Sequence, residues 1–275
     1  MLSQISSAFT AENWRTSASL FVFPVLLTLV APVHAEIAST TPKGLSVALS
    51  DNVLVLNDTD RSASLELVNL GSLPTEFALQ SVKMVMNAKT QDGSEFIRWA
   101  PQRAKVPANQ TIPMRISARQ LDKLPPGEYM LKLNVSALTR PGPEAKAAEK
   151  AQGVAVTIPI MPVLPVTVYL RHGIDTPGIR AQKLVYTPKD REYLGYFPVT
   201  KTVPGQSFVG QIQVINQATG DVLSSGRLHL RPTTNESVVR MPRGKFTAGA
   251  AGTYCLKIWD HFPAKGNPIQ EQCNG

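Results

Sequence analysis

An all-β chain of two sandwiches is what this sequence predicts, and three observations predict it. Apolar residues alternate with polar ones in one short segment after another, the period-two signature of strands with one buried face. Turn chemistry separates the segments, in stretches such as LGSLP, NAKTQDG and KLPPG, drawn from 22 prolines and 18 glycines. No stretch carries a convincing helical period apart from the short PEAKAAEKAQ. The length of 275 residues suits one large domain or two ordinary ones.

Residues 1–35 have the form of an export signal. Arg15 is the sole basic side chain there, an apolar run SASLFVFPVLLTLVAP follows, and Val33-His34-Ala35 offers a small-x-small cleavage pattern. The run is too short and too broken by proline for a membrane-spanning helix. No later segment is apolar enough to span a bilayer, so the expectation is a chain exported from the cytoplasm with no stable membrane insertion. The formal net charge of +8 is scattered rather than clustered with aromatic residues, which argues against nucleic-acid binding and for solvated faces that attract an acidic partner.

The first domain reads as a string of strands over 44–50, 53–57, 62–70, 75–86, 95–100, 111–119, 127–138 and 153–171. In the segment 127–138, Tyr129, Leu131, Leu133 and Val135 share one face. Strands at this short spacing predict an immunoglobulin-like sandwich. TRPGPEAKAAEKAQ (139–152) reads as a hairpin loop, or as a short surface helix.

The stretch GVAVTIPIMPVLPVTVYLRHG (153–173) has two readings. Val154, Val156, Ile158 and Ile160 alternate with Ala155, Thr157 and Pro159, and the run carries no charge until Arg171. It could be a core strand. Pro159, Pro162 and Pro165 instead suit an edge strand, because proline donates nothing to a ladder. An apolar edge invites a second chain to pair with it.

After a short linker, IDTPG (174–178), a second set of strands covers 180–186, 191–201, 207–216, 222–232, 236–241 and 252–260, a second and smaller sandwich. The domain division is therefore 36–173 and 174–275. Cys255 and Cys273 are the only cysteines, and in an exported chain they are expected to pair as a disulfide. His172, His229 and His261 show no metal-ligand spacing, and no G-x-S-x-G, H-E-x-x-H or phosphate loop occurs. The expectation is a chain with no metal and no enzymatic site.

The order of several segments resembles the periplasmic chaperones of the chaperone–usher pathway, which assemble pili, over nearly all of the chain after residue 35. VALSDNVLVLNDTDRSASLELVNLG is similar to that family's N-terminal pattern. IRWAPQRAKVPANQTIPMRISARQLDKLPPGEYMLKLNV is similar to the stretch before its last two strands. LPVTVYLRHG resembles its closing strand and hinge, especially in the archaic and alternative branches, and GTYCLKIWDHF its final strand. The resemblance implies two immunoglobulin-like domains set at an angle, and binding of a fimbrial subunit by donor-strand complementation. In that mode the chaperone lends a strand to a subunit lacking one and passes it to an outer-membrane usher. Val154, Val156, Ile158 and Ile160 would be the lent residues. Glu128, Arg171 and Asp260 match an interdomain ion cluster of the family, and no cofactor is implied. The chain departs from the family where a subunit's terminal carboxylate is usually held by an Arg and a Lys: those places are Val53 and Thr167 here. Either another basic residue, such as Lys43, Arg98 or Arg103, does the anchoring, or the subunit is held without that anchor. An alternative reading is an exported structural or adhesive surface protein of two immunoglobulin-like domains. A eukaryotic secreted binding module, which the sequons at Asn57, Asn109, Asn134 and Asn235 would suit, is a third.

Overall fold

Strand alternation shapes the first sandwich. The computed structural model describes residues 46–82, 90–138, 161–186, 195–242 and 253–274. In β9 (Gly127–Leu138), Tyr129, Leu131, Leu133, Val135 and Ala137 are at most 2% exposed, while Met130, Lys132, Asn134 and Ser136 on the other face are half-buried. Each fully buried side chain of this size contributes about 1.5–3 kcal/mol relative to exposure. β9 therefore lies in the middle of its sheet. It pairs antiparallel with β4 (Thr75–Val82) on one side and with β10 (Val163–His172) on the other. The sheet runs in the order β2-β10-β9-β4-β7, with β2 at Val53–Leu56 and β7 at Arg103–Val106. A three-residue β5 (Thr90–Asp92) runs parallel to the start of β9.

The facing sheet has the order β1-β3-β8-β6, with β1 at Val47–Leu49, β3 at Ser62–Asn69, β6 at Ile97–Ala100 and β8 at Gln110–Ala118. Leu65, Leu67, Ile97, Met114 and Ile116 close the core from this side with no measurable exposure. The Tyr129 hydroxyl donates to the Pro125 carbonyl at 2.8 Å, which ties the start of β9 to the turn before it. Burial raises the pKa of that hydroxyl above its ordinary value.

The second sandwich packs β11 (Ile179–Ala181), β12 (Tyr196–Lys201) and β15 (Glu236–Arg240) on a four-stranded sheet. That sheet has the order β14-β13-β16-β17, with β13 at Phe208–Asn216, β14 at Val222–Leu230, β16 at Tyr254–Ile258 and β17 at Gln270–Cys273. Phe197, Val199, Phe208, Val214, Leu256 and Ile258 form its core. Gly210 is required in β13: a Cβ there would sit 1.9 Å from the Trp259 carbonyl oxygen. Cys255 and Cys273 are register partners across β16 and β17 and are joined as a disulfide at a sequence separation of 18. Closing a loop of that size contributes about 3 kcal/mol in the chain-entropy account.

The protein is thus all-β, two immunoglobulin-like sandwiches in tandem, with no α-helix among the described residues. Its described residues belong to one compact unit, 40–275, and no helix among them is long and apolar enough to cross a membrane. The segment 180–186 yields only β11 and an isolated bridge from Val185 to Tyr196. β5, β7 and β17 were not anticipated: each is only three or four residues long, too short for a period to register. The export segment 1–35, the loop 139–152 and the residues Val154, Val156, Ile158 and Ile160 lie outside the described residues.

Candidate functional site

β10 is shared between two neighbours of unequal length. β9 accompanies it along all ten residues, from Val163↔Ser136 to His172↔Gly127. β2 accompanies it, in parallel, only from Thr167↔Val53 to Leu170↔Leu56. On the β2 side, Val163 to Val166 therefore have no strand beside them among the described residues. The Thr167 amide donates to the Asn52 carbonyl at 2.9 Å, and the Ala137 amide donates to the Pro162 carbonyl at 3.1 Å. Backbone groups alternate along a strand. Odd-numbered residues of this strand thus face the β2 side, and even-numbered ones face β9. Pro165 stands where its missing N–H would have faced the open side, so Val163 supplies the donor on that side, with no strand paired to it there among the described residues. Met161 and Val163 are 58% and 46% exposed. Leu164, Val166, Val168 and Leu170 turn their side chains into the first core.

Arg171, next to last in this strand, stands directly opposite Glu128, and antiparallel register is what brings the two together. Arg171 Nε donates to Glu128 Oε2 at 3.3 Å, with the two side chains 3% and 0% exposed. The remaining partners come from the second sandwich and the segment leading to it. The Ser207 amide donates to both Glu128 oxygens, at 2.9 and 3.0 Å, and the Ser207 hydroxyl to Oε2 at 2.6 Å. Arg171 Nη2 donates to the Ser207 carbonyl at 2.7 Å and to its hydroxyl oxygen at 3.1 Å, and Nη1 to Thr176 Oγ1 at 3.1 Å. Burial pushes the Arg171 guanidinium below its ordinary pKa, and the Glu128 carboxylate pulls it back up.

Asp260 does not complete this cluster as anticipated. Among the described residues it has no hydrogen bond or ion pair with Arg171, and it pairs with the adjacent His261 at 2.7 Å. It acts on Arg171 only through space. Ser207 takes the third place, and no charge or period in the sequence marks it.

A cavity of about 720 Å³ lies between the two sandwiches beside β10. Val53 and Thr167, register partners on β2 and β10, both line it. The cations on its wall are Lys132 of β9, Arg227 of β14 and Arg231 just beyond β14, and no carboxylate among the described residues lines it. Arg227 is already committed: it pairs with Asp51 and lies 4.6 Å from the centre of the Phe262 ring. Lys132 and Arg231 have no carboxylate within ion-pair reach among the described residues. The Tyr169 hydroxyl and His229 Nε2 meet across the joint at 3.1 Å. Burial, with Arg231 and Arg227 close by, pushes His229 down to about 4. Burial raises the Tyr169 hydroxyl above its ordinary pKa. Arg98 lies on the other sheet, Arg103 pairs with Glu76 at 3.5 Å, and Lys43 falls outside the described residues.

One group of metal-ligand types clusters among the described residues, Cys255, Glu271 and Cys273, and its two sulfurs are bonded to each other.

No protein-family model matches this chain, and no curated protein matches it. Solved structures similar to it include the Salmonella enterica SafA pilin–SafB chaperone complex, at 14% identity and a TM-score of 0.42, covering 84% of this chain and 97% of that one. The E. coli chaperone DraB is similar at 11% identity and a TM-score of 0.40, covering 82% of this chain and 98% of that one. The Pseudomonas aeruginosa CupB2 chaperone is similar at 12% identity and a TM-score of 0.38, covering 82% of this chain and all 100% of that one.

Proposed function

We propose that this protein is an exported chaperone of fimbrial subunits. It lends the edge of β10 to a subunit that lacks a strand, then yields the subunit to an outer-membrane usher. The observation that carries this reading is the half-open edge of β10. An apolar strand held on one side by β9 and covered on the other only from Thr167 onward leaves backbone groups for another chain.

Val154, Val156, Ile158 and Ile160 are even-numbered, like the core-facing Leu164, Val166, Val168 and Leu170. Continued in the same register, they would carry the apolar stripe past the first sandwich and into the groove of a subunit. Pro165 keeps the edge from pairing at every position, so the shared ladder is short. Glu128, Arg171 and Ser207 join the domains 36–173 and 174–275, and so fix the walls between which a subunit is held. Lys132 and Arg231 supply positive charge where Val53 and Thr167 have none. In this reading residues 1–35 direct the chain to the periplasm, and no catalytic step is needed, because the subunit's own unfinished folding drives assembly.

The test is co-expression with a candidate subunit encoded beside this chain, followed by pull-down from the periplasm. A one-to-one complex is expected, lost in Ile158→Asp/Ile160→Asp while the variant stays folded. Subunit recovery unchanged by that double substitution would reject the lent-strand reading.

A further inference from the structure

The outer face of the β1-β3-β8-β6 sheet holds a second concentration of positive charge, far from any role assigned above. Arg98, Trp99, Ala100, Arg115, Ser117 and Arg119 line a cavity of about 340 Å³ there. The register explains its construction. Arg98 on β6 stands directly across from Ser117 on β8. Arg115 and Arg119 lie two residues before and after Ser117, and period two puts all three on one face. The ladder continues to Arg119, whose amide donates to the Phe96 carbonyl at 2.7 Å. On its remaining side Ser117 faces Ser62 of β3, whose hydroxyl accepts from Arg115 Nη2 at 3.3 Å. One serine hydroxyl is thus ringed by three guanidinium-bearing residues and a second hydroxyl.

Like charges at such cross-strand diagonals, with Cβ atoms about 7–8 Å apart, repel one another. None of Arg98, Arg115 and Arg119 has a carboxylate within ion-pair reach among the described residues. Arg98 commits Nη1 to the Ser94 and Ile97 carbonyls, at 2.8 and 3.1 Å, and keeps its other donors. Arg119 makes no side-chain hydrogen bond among the described residues. Donors of fixed fork geometry, all cationic or neutral, match a tetrahedral oxyanion that accepts several hydrogen bonds at once.

We infer that Arg98, Arg115, Ser117 and Arg119 form a binding site for a phosphate group. The group belongs either to a free phosphate compound or to a lipid headgroup. The site lies on the sheet opposite β10, so its occupation leaves the lent edge free.

The purified protein is titrated with inorganic phosphate at constant ionic strength, with chloride as the control, and backbone amide shifts are followed by NMR. Saturable shifts are expected around Arg98, Ser117 and Arg119. Affinity should fall about tenfold in Arg98→Ala and again in Arg119→Ala, the effect of losing one charge-assisted contact each. Flotation with phosphatidylcholine vesicles, with and without phosphatidic acid, then separates the sources. Phosphate shifts together with flotation on phosphatidic acid identify a headgroup, and phosphate shifts without flotation identify a free compound. Absent or non-saturable shifts, equal shifts in chloride, or affinity unchanged in both variants would overturn the site. Flotation without phosphate shifts would overturn it too. Both variants should still capture a subunit, so failure here is distinguishable from failure of the chaperone reading.

Discussion

At Glu128 a carboxylate is taken almost wholly out of water, and among the described residues the hydrogen bonds that compensate it come from Arg171 and Ser207. A buried pair of this kind gives little net stability, but removing one partner leaves the other charge uncompensated and costs about 3–5 kcal/mol. Arg171→Ala is therefore expected to lower unfolding stability by about 3 kcal/mol in urea titrations, the two Ser207 donors softening the loss. A change below about 1 kcal/mol, the scale of an exposed pair, would contradict the buried geometry. Glu128 and Arg171 were placed by the family resemblance alone, and antiparallel register sets them opposite each other. Asp260 was placed by the same resemblance, but its side chain turns to His261, an arrangement that no spacing announces. Ser207 was invisible because its part rests on an amide and a hydroxyl brought in by the second sandwich.

Among elements, β9 was the plainest to read. Its burial alternates without a break from Tyr129 to Leu138, and its predicted bounds match Gly127–Leu138. β17 was unreadable for the opposite reason. QEQC has one apolar residue, and the strand is held by its ladder to β16 and by the Cys255–Cys273 bond rather than by a buried face. β10 lies between these cases. Its apolar composition suits either a core or an edge strand, and its prolines favour an edge. Which of its residues are open depends on where β2 begins, a property of tertiary pairing that the sequence does not carry.

For the molecule as a whole, two cores were legible and the apolar part of the joint between them was not. Val53, Tyr169 and Val209 form a small apolar cluster of their own where the sandwiches meet, with the Tyr169–His229 contact beside it. His229 is flanked by Asp51, Arg227, Arg231 and Lys201, three cations against one carboxylate. The folded protein holds His229 near 4, against an ordinary 6.5, so as pH falls the unfolded chain takes up the proton first. Its contribution to stability is complete above about 6.5 and lost as pH falls toward 4. Melting temperature should drop across that window, and less steeply in His229→Gln. Equal slopes in the two proteins would show that the joint does not hold this imidazole neutral.

The open edge of β10 is the point on which the functional reading turns, and the Val163 amide is its most direct reporter. Hydrogen exchange at that amide is the measurement to make, in the free protein and in a complex with a subunit. Fast exchange when free and strong protection when bound, with the Val166 amide on the β9 side protected in both states, is the predicted result. A bound subunit that leaves Val163 exchanging as in the free protein would contradict strand lending from this edge.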